Sequence, residues 1–265
     1  MSFKEVSRDG VVFTASRKIE ARHGFMTRLG GVSQGIYSTM NVGVNLGDSP
    51  ECVEENIRRV CRAIGADSEK AVFSRQVHRD GIRVCTQSDC RRPGVPVPYE
   101  ADGLITDIPD LVLFIFTADC TPILLYDPVK RCIGAVHAGW RGTAADIAGK
   151  AVRKMCEVFG SCPEDIRGAI GPCISLCCFE TGEDVERAMA GLMGKAAEKF
   201  VITGNNGKFM TDLKGINSWL LERAGVLPEN IDISPECTMC KRDKYWSHRA
   251  TDGKRGVQAS CITLD

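Results

Sequence analysis

The residue types able to do chemistry are concentrated in one stretch. It runs from Thr117-Ala118-Asp119-Cys120 to His137-Ala138-Gly139-Trp140-Arg141-Gly142-Thr143. Between these ends lie two apolar runs, 123–126 and 132–136, on either side of a four-residue loop that starts at Asp127-Pro128. That pattern reads as a β-hairpin. A hairpin pairing Tyr126 with Arg131 sets Cys120 opposite His137, and opposed residues hold their Cβ atoms about 4.5–5.5 Å apart on one face. Pro122 would break such a ladder early or bulge it. A thiolate and an imidazole so placed can share one metal ion or form a Cys–His nucleophile pair. A lone Cys or a lone His is more often a packed core residue. A pair brought face to face by a hairpin and followed by a Gly-rich turn is rarer by chance.

The hairpin leads into that turn and then a helix. Glycines let backbone approach a ligand closely, a helix N-terminus offers free N–H groups to an anion, and Arg141 adds a bidentate cation. Phosphate or carboxylate binding is the expectation, although the stretch matches neither the P-loop nor the dinucleotide fingerprint. Two further fragments carry less by themselves. Gln76-Val77-His78 ends a strand-like stretch before an Asp80-Gly81 turn. The Gly-rich loop from Thr27 to Ser33, continuing to Asn41, offers Arg28 and Asn41 but also reads as a surface turn.

The elements that must position these groups follow from periodicity and punctuation. Asp48 with Glu51 predicts a capped helix to Ile64, stopped by Gly65. Gly142 or Thr143 opens a second over 144–159, Thr181 or Gly182 a third, and Asp212 a fourth that Gly225 closes. Strands are predicted at 11–14, 83–86, 104–106, 112–117, 123–126, 132–137, 168–170, 231–233 and 258–263. Strands and helices are intermixed without strict alternation, so a mixed-sheet α/β (α+β) single domain over residues 1–265 is expected.

Composition narrows the class. The chain has 265 residues, no formal net charge and a pI near 6.9, which argues against a nucleic-acid or anionic-membrane partner. The longest apolar run, 111–116, is too short to span a bilayer. No apolar signal stretch follows Met1, so a cytoplasmic protein is expected, with its 14 Cys mostly reduced. Only 4 His are present (His23, His78, His137 and His248), whereas a full set of copper centres needs about ten imidazoles. At most one small metal site can be built from them. The apolar and charged fractions suit an ordinary globular core.

Taken together, the fragments resemble a known family. TRLGGVSQGIYSTMNVGVNLGD, QVH, ADGLIT, TADCTPILLYDP, AVHAGWRGT, IGPCI, FETGEDV, CT, YWSHR and GKRGVQAS occur in the order seen in YfiH-like laccase-domain proteins. The resemblance covers about residues 10–264. It implies a single-domain sandwich of mixed β-sheets flanked by helices, related to deamidating bacterial toxins with a Cys–His pair. It also implies a zinc site made of His78, Cys120 and His137, two of which the hairpin reasoning had already paired.

The activity implied is phosphorolysis of adenosine, inosine, guanosine and methylthioadenosine, together with adenosine deamination. On that reading a small-molecule nucleoside and phosphate are the partners, and Cys120, Asp102 and Arg141 form the catalytic group. Arg28 and Arg141 hold phosphate, and Asn41 hydrogen-bonds sugar or base. Asp102, in the ADG triplet, serves as general acid/base or as a partner behind the metal ligands. No His is followed two residues later by Glu, so the ordinary zinc-deaminase signature is absent. Three other readings stay open: a copper-dependent polyphenol oxidase, an amidase editing UDP-muramoyl cell-wall precursors, and a non-catalytic zinc-stabilised module. The sequence departs from its relatives at His248, where an aromatic is usual, and that side chain is expected at the surface. The Cys237-x2-Cys240 pair has no evident second pair, and Cys173, Cys177 and Cys178 read as thiols without a role.

Overall fold

Strands that are apolar at nearly every position need cover on both faces. The computed structural model describes residues 3–265. In chain order the strands are β1 (Phe3–Arg8), β2 (Val11–Ser16), β3 (Arg22–Met26), β4 (Ala71–Val72), β5 (Ile82–Val84), β6 (Gly103–Thr106), β7 (Val112–Thr117), β8 (Thr121–Asp127), β9 (Cys132–Ala138), β10 (Arg167–Ile170), β11 (Glu180–Thr181), β12 (Val201–Thr203), β13 (Phe209–Thr211), β14 (Ile231–Ile233) and β15 (Gln258–Thr263). The α-helices are α1 (Pro50–Ile64), α2 (Trp140–Ala144), α3 (Ile147–Phe159), α4 (Glu183–Met193) and α5 (Leu213–Arg223).

Two sheets of six strands run in the orders β1-β2-β3-β15-β7-β4 and β14-β10-β8-β9-β6-β5. A small third sheet runs β11-β13-β12. Most neighbours are antiparallel, but β4–β7, β5–β6 and β10–β14 are parallel, so the sheets are mixed as expected. Leu113 and Ile115 of β7 and Ile262 of β15 share one buried cluster with Leu124 of β8 and Ile133 and Ala135 of β9. Side chains alternate faces along a strand. Val112 and Phe114 therefore join Val53, Ile57 and Val60 of α1 on the other side. Ile123, Leu125 and Val136 join Val152 and Met155 of α3 and Ile216 and Leu220 of α5. The layers are helix, sheet, sheet, helices.

Several boundaries differ from expectation. Ser49, not Asp48, caps α1, accepting from the Cys52 N–H, while Asp48 binds Ser33 and Asn41 instead. The helix expected over 144–159 is two helices, broken where Asp146 takes φ 57° and caps α3 through the Gly149 N–H. The first of them begins at Trp140 with Gly139 as its cap, nearer the candidate site than predicted. Asp212 stands at the cap position of α5 without a side-chain hydrogen bond there. Strands β1, β3 and β11 to β13 had no counterpart among the predicted runs. β1 pairs locally with β2 across the Asp9-Gly10 turn and β12 locally with β13, whereas β3 is an inner strand between β2 and β15.

Candidate metal centre and its pocket

The β8–β9 hairpin pairs Tyr126 with Ile133 and Pro122 with His137, not Tyr126 with Arg131. The correction has a local cause. Asp127 Oδ1 accepts from the Val129 and Lys130 N–H groups at 2.8 and 2.9 Å, making Pro128–Arg131 the turn and Asp127 the last strand residue. Pro122 neither breaks the ladder nor bulges it, since pairing continues to Thr121 and Ala138. Cys120 therefore sits just before β8, beside Gly139, rather than across from His137.

The chain still delivers Cys120 to His137, because Asp119 turns it at φ 88°. A non-glycine residue in that region is strained unless its surroundings hold it. Here they do: the Asp119 carboxylate accepts from Thr238 Oγ1 at 2.6 Å, Ser247 Oγ at 3.1 Å and the Arg249 N–H at 2.7 Å.

His78 arrives by a different route. Gln76 Nε2 donates to the Phe116 carbonyl at 2.8 Å while its Oε1 accepts from the Phe116 N–H at 2.7 Å, so one side chain mimics a strand partner for β7. The next three N–H groups, of Val77, His78 and Arg79, converge on the Asp102 carboxylate at 3.1, 2.9 and 3.0 Å. Successive N–H groups form such an anion nest only when the backbone turns left-handed, and His78 has φ 59°. Asp102 holds His137 as well. Its carbonyl accepts from the His137 N–H at 2.7 Å and its Oδ1 lies 2.8 Å from Nδ1.

The outcome is three donor atoms, from His78, Cys120 and His137, all within 4.8 Å of one another. The two imidazoles meet edge to face with centroids 4.8 Å apart. Space for them depends on Gly139. A Cβ there would stand 3.0 Å from His78 Cδ2 and 3.3 Å from Cys120 Sγ. Burial pushes the Cys120 thiol up, but the facing His137 and His78 imidazoles outweigh it and bring it down to about 6. Burial pushes His137 down, but the Cys120 thiolate and Asp102 outweigh it and raise it to about 9.

This donor set passes the chemical test for a borderline-soft metal ion. Zinc takes imidazole nitrogen and thiolate sulfur. The carboxylate behind His137 sets Nδ1 as the donor to Asp102 and leaves Nε2 free to bind a metal. His137 is buried and His78 is exposed, so one side of the centre is open. Of the other two histidines, His23 is buried in the first sheet, its ring bonded to Ala21 and Ser16. His248 is exposed, as expected, and it also lines the pocket.

A cavity of about 560 Å³ opens over the three donors. Phe116, Trp140 and Phe179 supply aromatic wall, and Arg141, Arg249 and Arg255 supply positive charge. Asp119 is the one acidic residue among those lining it, and its oxygens are already bonded. Arg255 is the pocket cation with a buried unpaired nitrogen. Its Nη1 donates to the Gly256 carbonyl at 3.3 Å, its Nη2 lies 3.3 Å from His248 Nδ1, and its buried Nε has no partner. Sequence reasoning missed Arg249 and Arg255 because residues 245–257 fold back over the site from the far end of the chain.

The expected site residues divide. His78, Cys120, His137 and Arg141 line the cavity. Asp102 is fully buried behind it, with every visible bond directed to His137 or to backbone. Arg28 and Asn41 lie outside. Arg28 donates to the carbonyls of Ser38 and Arg242 and stacks 3.8 Å over Trp246. Asn41 is fully buried, binding Asp48 and the N–H groups of Gly43 and Val257. Their polar atoms are used in holding the Gly-rich loop together.

The comparisons with known proteins agree with this architecture. Residues 22–265 match the family model described as multi-copper polyphenol oxidoreductase laccase. The chain is 33% identical over 245 residues to a Bacillus subtilis protein named purine nucleoside phosphorylase YlmD, covering 91% of this chain and 87% of that one. It is 36% identical over 257 residues to a Deinococcus radiodurans protein named purine nucleoside phosphorylase, covering 96% and 94%. Its fold superposes on the crystal structure of YlmD from Geobacillus stearothermophilus with a TM-score of 0.94 at 31% identity, covering 99% of this chain and 98% of that one. This chain belongs to the YfiH/YlmD laccase-domain family. Among the described residues, no helix is long and apolar enough to cross a membrane.

Proposed function

We propose that the chain is a zinc-dependent purine nucleoside phosphorylase, acting on adenosine, inosine, guanosine and methylthioadenosine and also deaminating adenosine. The observation that carries the reading is the pairing of a His78–Cys120–His137 donor set with three pocket arginines that no free carboxylate balances. Relatives named purine nucleoside phosphorylase over nearly the whole chain support the same reading.

In phosphorolysis a phosphate oxygen attacks C1′ of the ribose. The C1′–N9 bond breaks, and the purine leaves with the electron pair and takes up a proton. Arg141, Arg249 and Arg255 are suited to hold the phosphate by charge-assisted bonds. Phe116, Trp140 and Phe179 offer ring faces for the purine and exclude water. The cavity size falls in the range of small-molecule sites. A zinc ion bound by the two imidazoles and the thiolate would supply Lewis-acid polarisation. Asp102 keeps His137 in the tautomer that directs Nε2 toward Cys120, acting as a positioning residue.

Two imidazoles and one thiolate are also a blue-copper set, and the family description names copper. Among the described residues, no methionine lines the cavity to serve as the usual long axial ligand, which favours zinc.

The test is adenosine with and without phosphate on metal-analysed protein, following adenine, ribose 1-phosphate and inosine by chromatography. Adenine release should require phosphate. Arg255→Ala should raise the phosphate KM about tenfold or more, the worth of a charge-assisted bond. Stoichiometric zinc without phosphate-dependent base release would overturn the phosphorylase reading. Amino-acid release from a UDP-muramoyl substrate would then favour the amidase.

A further inference from the structure

The structure brings together four thiols that sequence spacing left apart. Cys177 and Cys178 lie in the connection between β10 and β11, and Cys237 and Cys240 in the segment between β14 and β15. Their sulfur atoms all lie within 4.8 Å of one another. Sγ of Cys240 is 3.6 Å from that of Cys177 and 3.4 Å from that of Cys178, and the adjacent pair is 3.7 Å apart. A Zn–S bond of about 2.3 Å makes the edge of a tetrahedron of sulfurs about 3.8 Å. The three edges, at 3.4, 3.6 and 3.7 Å, fall close to and just below that figure. They are too tight for an iron–sulfur cluster, whose inorganic sulfides hold the protein thiolates further apart.

We infer that Cys177, Cys178, Cys237 and Cys240 form a second metal site, a closed tetrahedral zinc site distinct from the His78–Cys120–His137 centre.

The surroundings are those of thiolate ligands. The Ser175 N–H donates to Cys237 Sγ at 3.4 Å, which favours a charged sulfur. An isolated bridge pairs Cys173 with Cys237, and the Thr238 N–H donates to the Cys173 carbonyl at 3.1 Å, so the two segments already run side by side. No histidine, open cavity or arginine belongs to the group, and four protein ligands leave no position for substrate. That is the pattern of a structural site. On binding, the thiols release their protons to solvent and coordinate as thiolates.

The position explains what such a site would do. Residues 234–257 contain only a short 3-10 turn at Arg249–Thr251, and irregular stretches longer than about 15 residues rarely hold their shape unaided. The same stretch supplies Thr238, Ser247 and Arg249 to Asp119, and Arg249 and Arg255 to the cavity. A metal ion at its base ties it to the 171–180 connection and so fixes the cationic wall of the pocket.

The experiment counts metal in reduced, full-length protein by mass spectrometry of the dissolved sample. Wild type should carry two zinc ions per chain. Cys120→Ala should carry one, and so should the Cys177→Ser, Cys240→Ser double variant. Should the double variant fail to fold, cobalt-loaded Cys120→Ala answers the same question. Its near-ultraviolet charge-transfer band should have the intensity of four thiolates, and X-ray absorption should give an all-sulfur first shell. Cys120→Ala protein without zinc or cobalt would overturn the inference, as would a Cys177 or Cys178 disulfide to Cys237 or Cys240 in metal-free protein purified under reducing conditions. Because the two centres are counted separately, loss of nucleoside turnover leaves this result unaffected.

Discussion

Oδ1 of Asp102 lies 2.8 Å from Nδ1 of His137 and also accepts from the N–H of His78, so one carboxylate fixes two of the three donor residues. Its other oxygen takes the N–H groups of Val77 and Arg79. Every neighbour on that side is a donor.

Asp102→Asn is therefore not conservative here. The amide NH2 must face either a backbone N–H or the His137 Nδ1–H. We expect metal affinity to fall about 10–100-fold, the usual effect of removing a ligand's partner. Stability should fall by about 1–3 kcal/mol, the cost of an unsatisfied buried donor. Competition with a chelator and urea unfolding measure the two effects. Unchanged metal affinity would sink the positioning role.

Gly139 separates packing from backbone effects. Its φ is −69°, which any residue adopts, so alanine brings no strain of the chain. What alanine brings is a methyl 3.0 Å from the His78 ring and 3.3 Å from Cys120 Sγ. Gly139→Ala should fold with a stability change of about 1 kcal/mol or less, yet bind metal about tenfold or more weakly. Thermal unfolding of metal-stripped protein beside a metal titration checks both halves. A parallel loss of fold and metal would mean that Gly139 serves the chain and not the site.

The pairing of Cys120 with His137 was legible in the sequence although the hairpin register was not. The ladder is shifted by two residues, and side chains alternate with period two, so both groups stay on one face. A shift of one would have separated them. The apolar runs of β7, β8 and β9 were equally plain, because strands covered on both faces read as continuous hydrophobic segments. His78 was not legible from spacing. Its place depends on Gln76 mimicking a strand partner and on Asp102 gathering three N–H groups, neither of which leaves a periodic trace. The Cys177–Cys240 group was hidden for the same reason, its halves being joined only by the fold. Arg28 and Asn41 show the opposite case, lying outside the cavity with their polar atoms engaged in the loop. A Gly-rich loop with polar residues resembles a ligand cradle, and here those residues stabilise the loop itself.

Asp119→Ala removes three hydrogen bonds and leaves a Cβ-bearing residue at φ 88° without the contacts that hold it. We expect a loss of about 2–4 kcal/mol. The variant also frees the stretch carrying Arg249 and Arg255 and loosens the turn that delivers Cys120, so the phosphate KM should rise and metal affinity should fall with it. Asp119→Asn, which tolerates the left-handed region better, should recover part of the stability. Equal losses in both variants would show that charge, not conformation, dominates at this turn.

His23 gives a pH dependence that lies outside the metal centre. Its Nε2 accepts from the Ser16 N–H at 3.0 Å, so its Nδ1 donates to the Ala21 carbonyl at 2.8 Å and the ring is held neutral. Burial lowers its pKa below the usual 6.5, and the bond to Ala21 only partly offsets this. A proton on Nε2 would confront the Ser16 N–H. In the window between the lowered folded pKa and about 6.5 the unfolded chain binds the proton and the folded chain does not. Stability is then fully present above about pH 6.5 and falls as the pH drops toward the folded pKa, by at most about 1.4 kcal/mol per pH unit from this one group. His23→Gln should cost stability at pH 8, and its disadvantage against wild type should shrink by pH 5.5. Urea midpoints of the two proteins at pH 8, 7, 6 and 5.5 provide the measurement. A constant difference across that series would mean that His23 titrates alike in both states and that its neutral form is not what the first sheet requires.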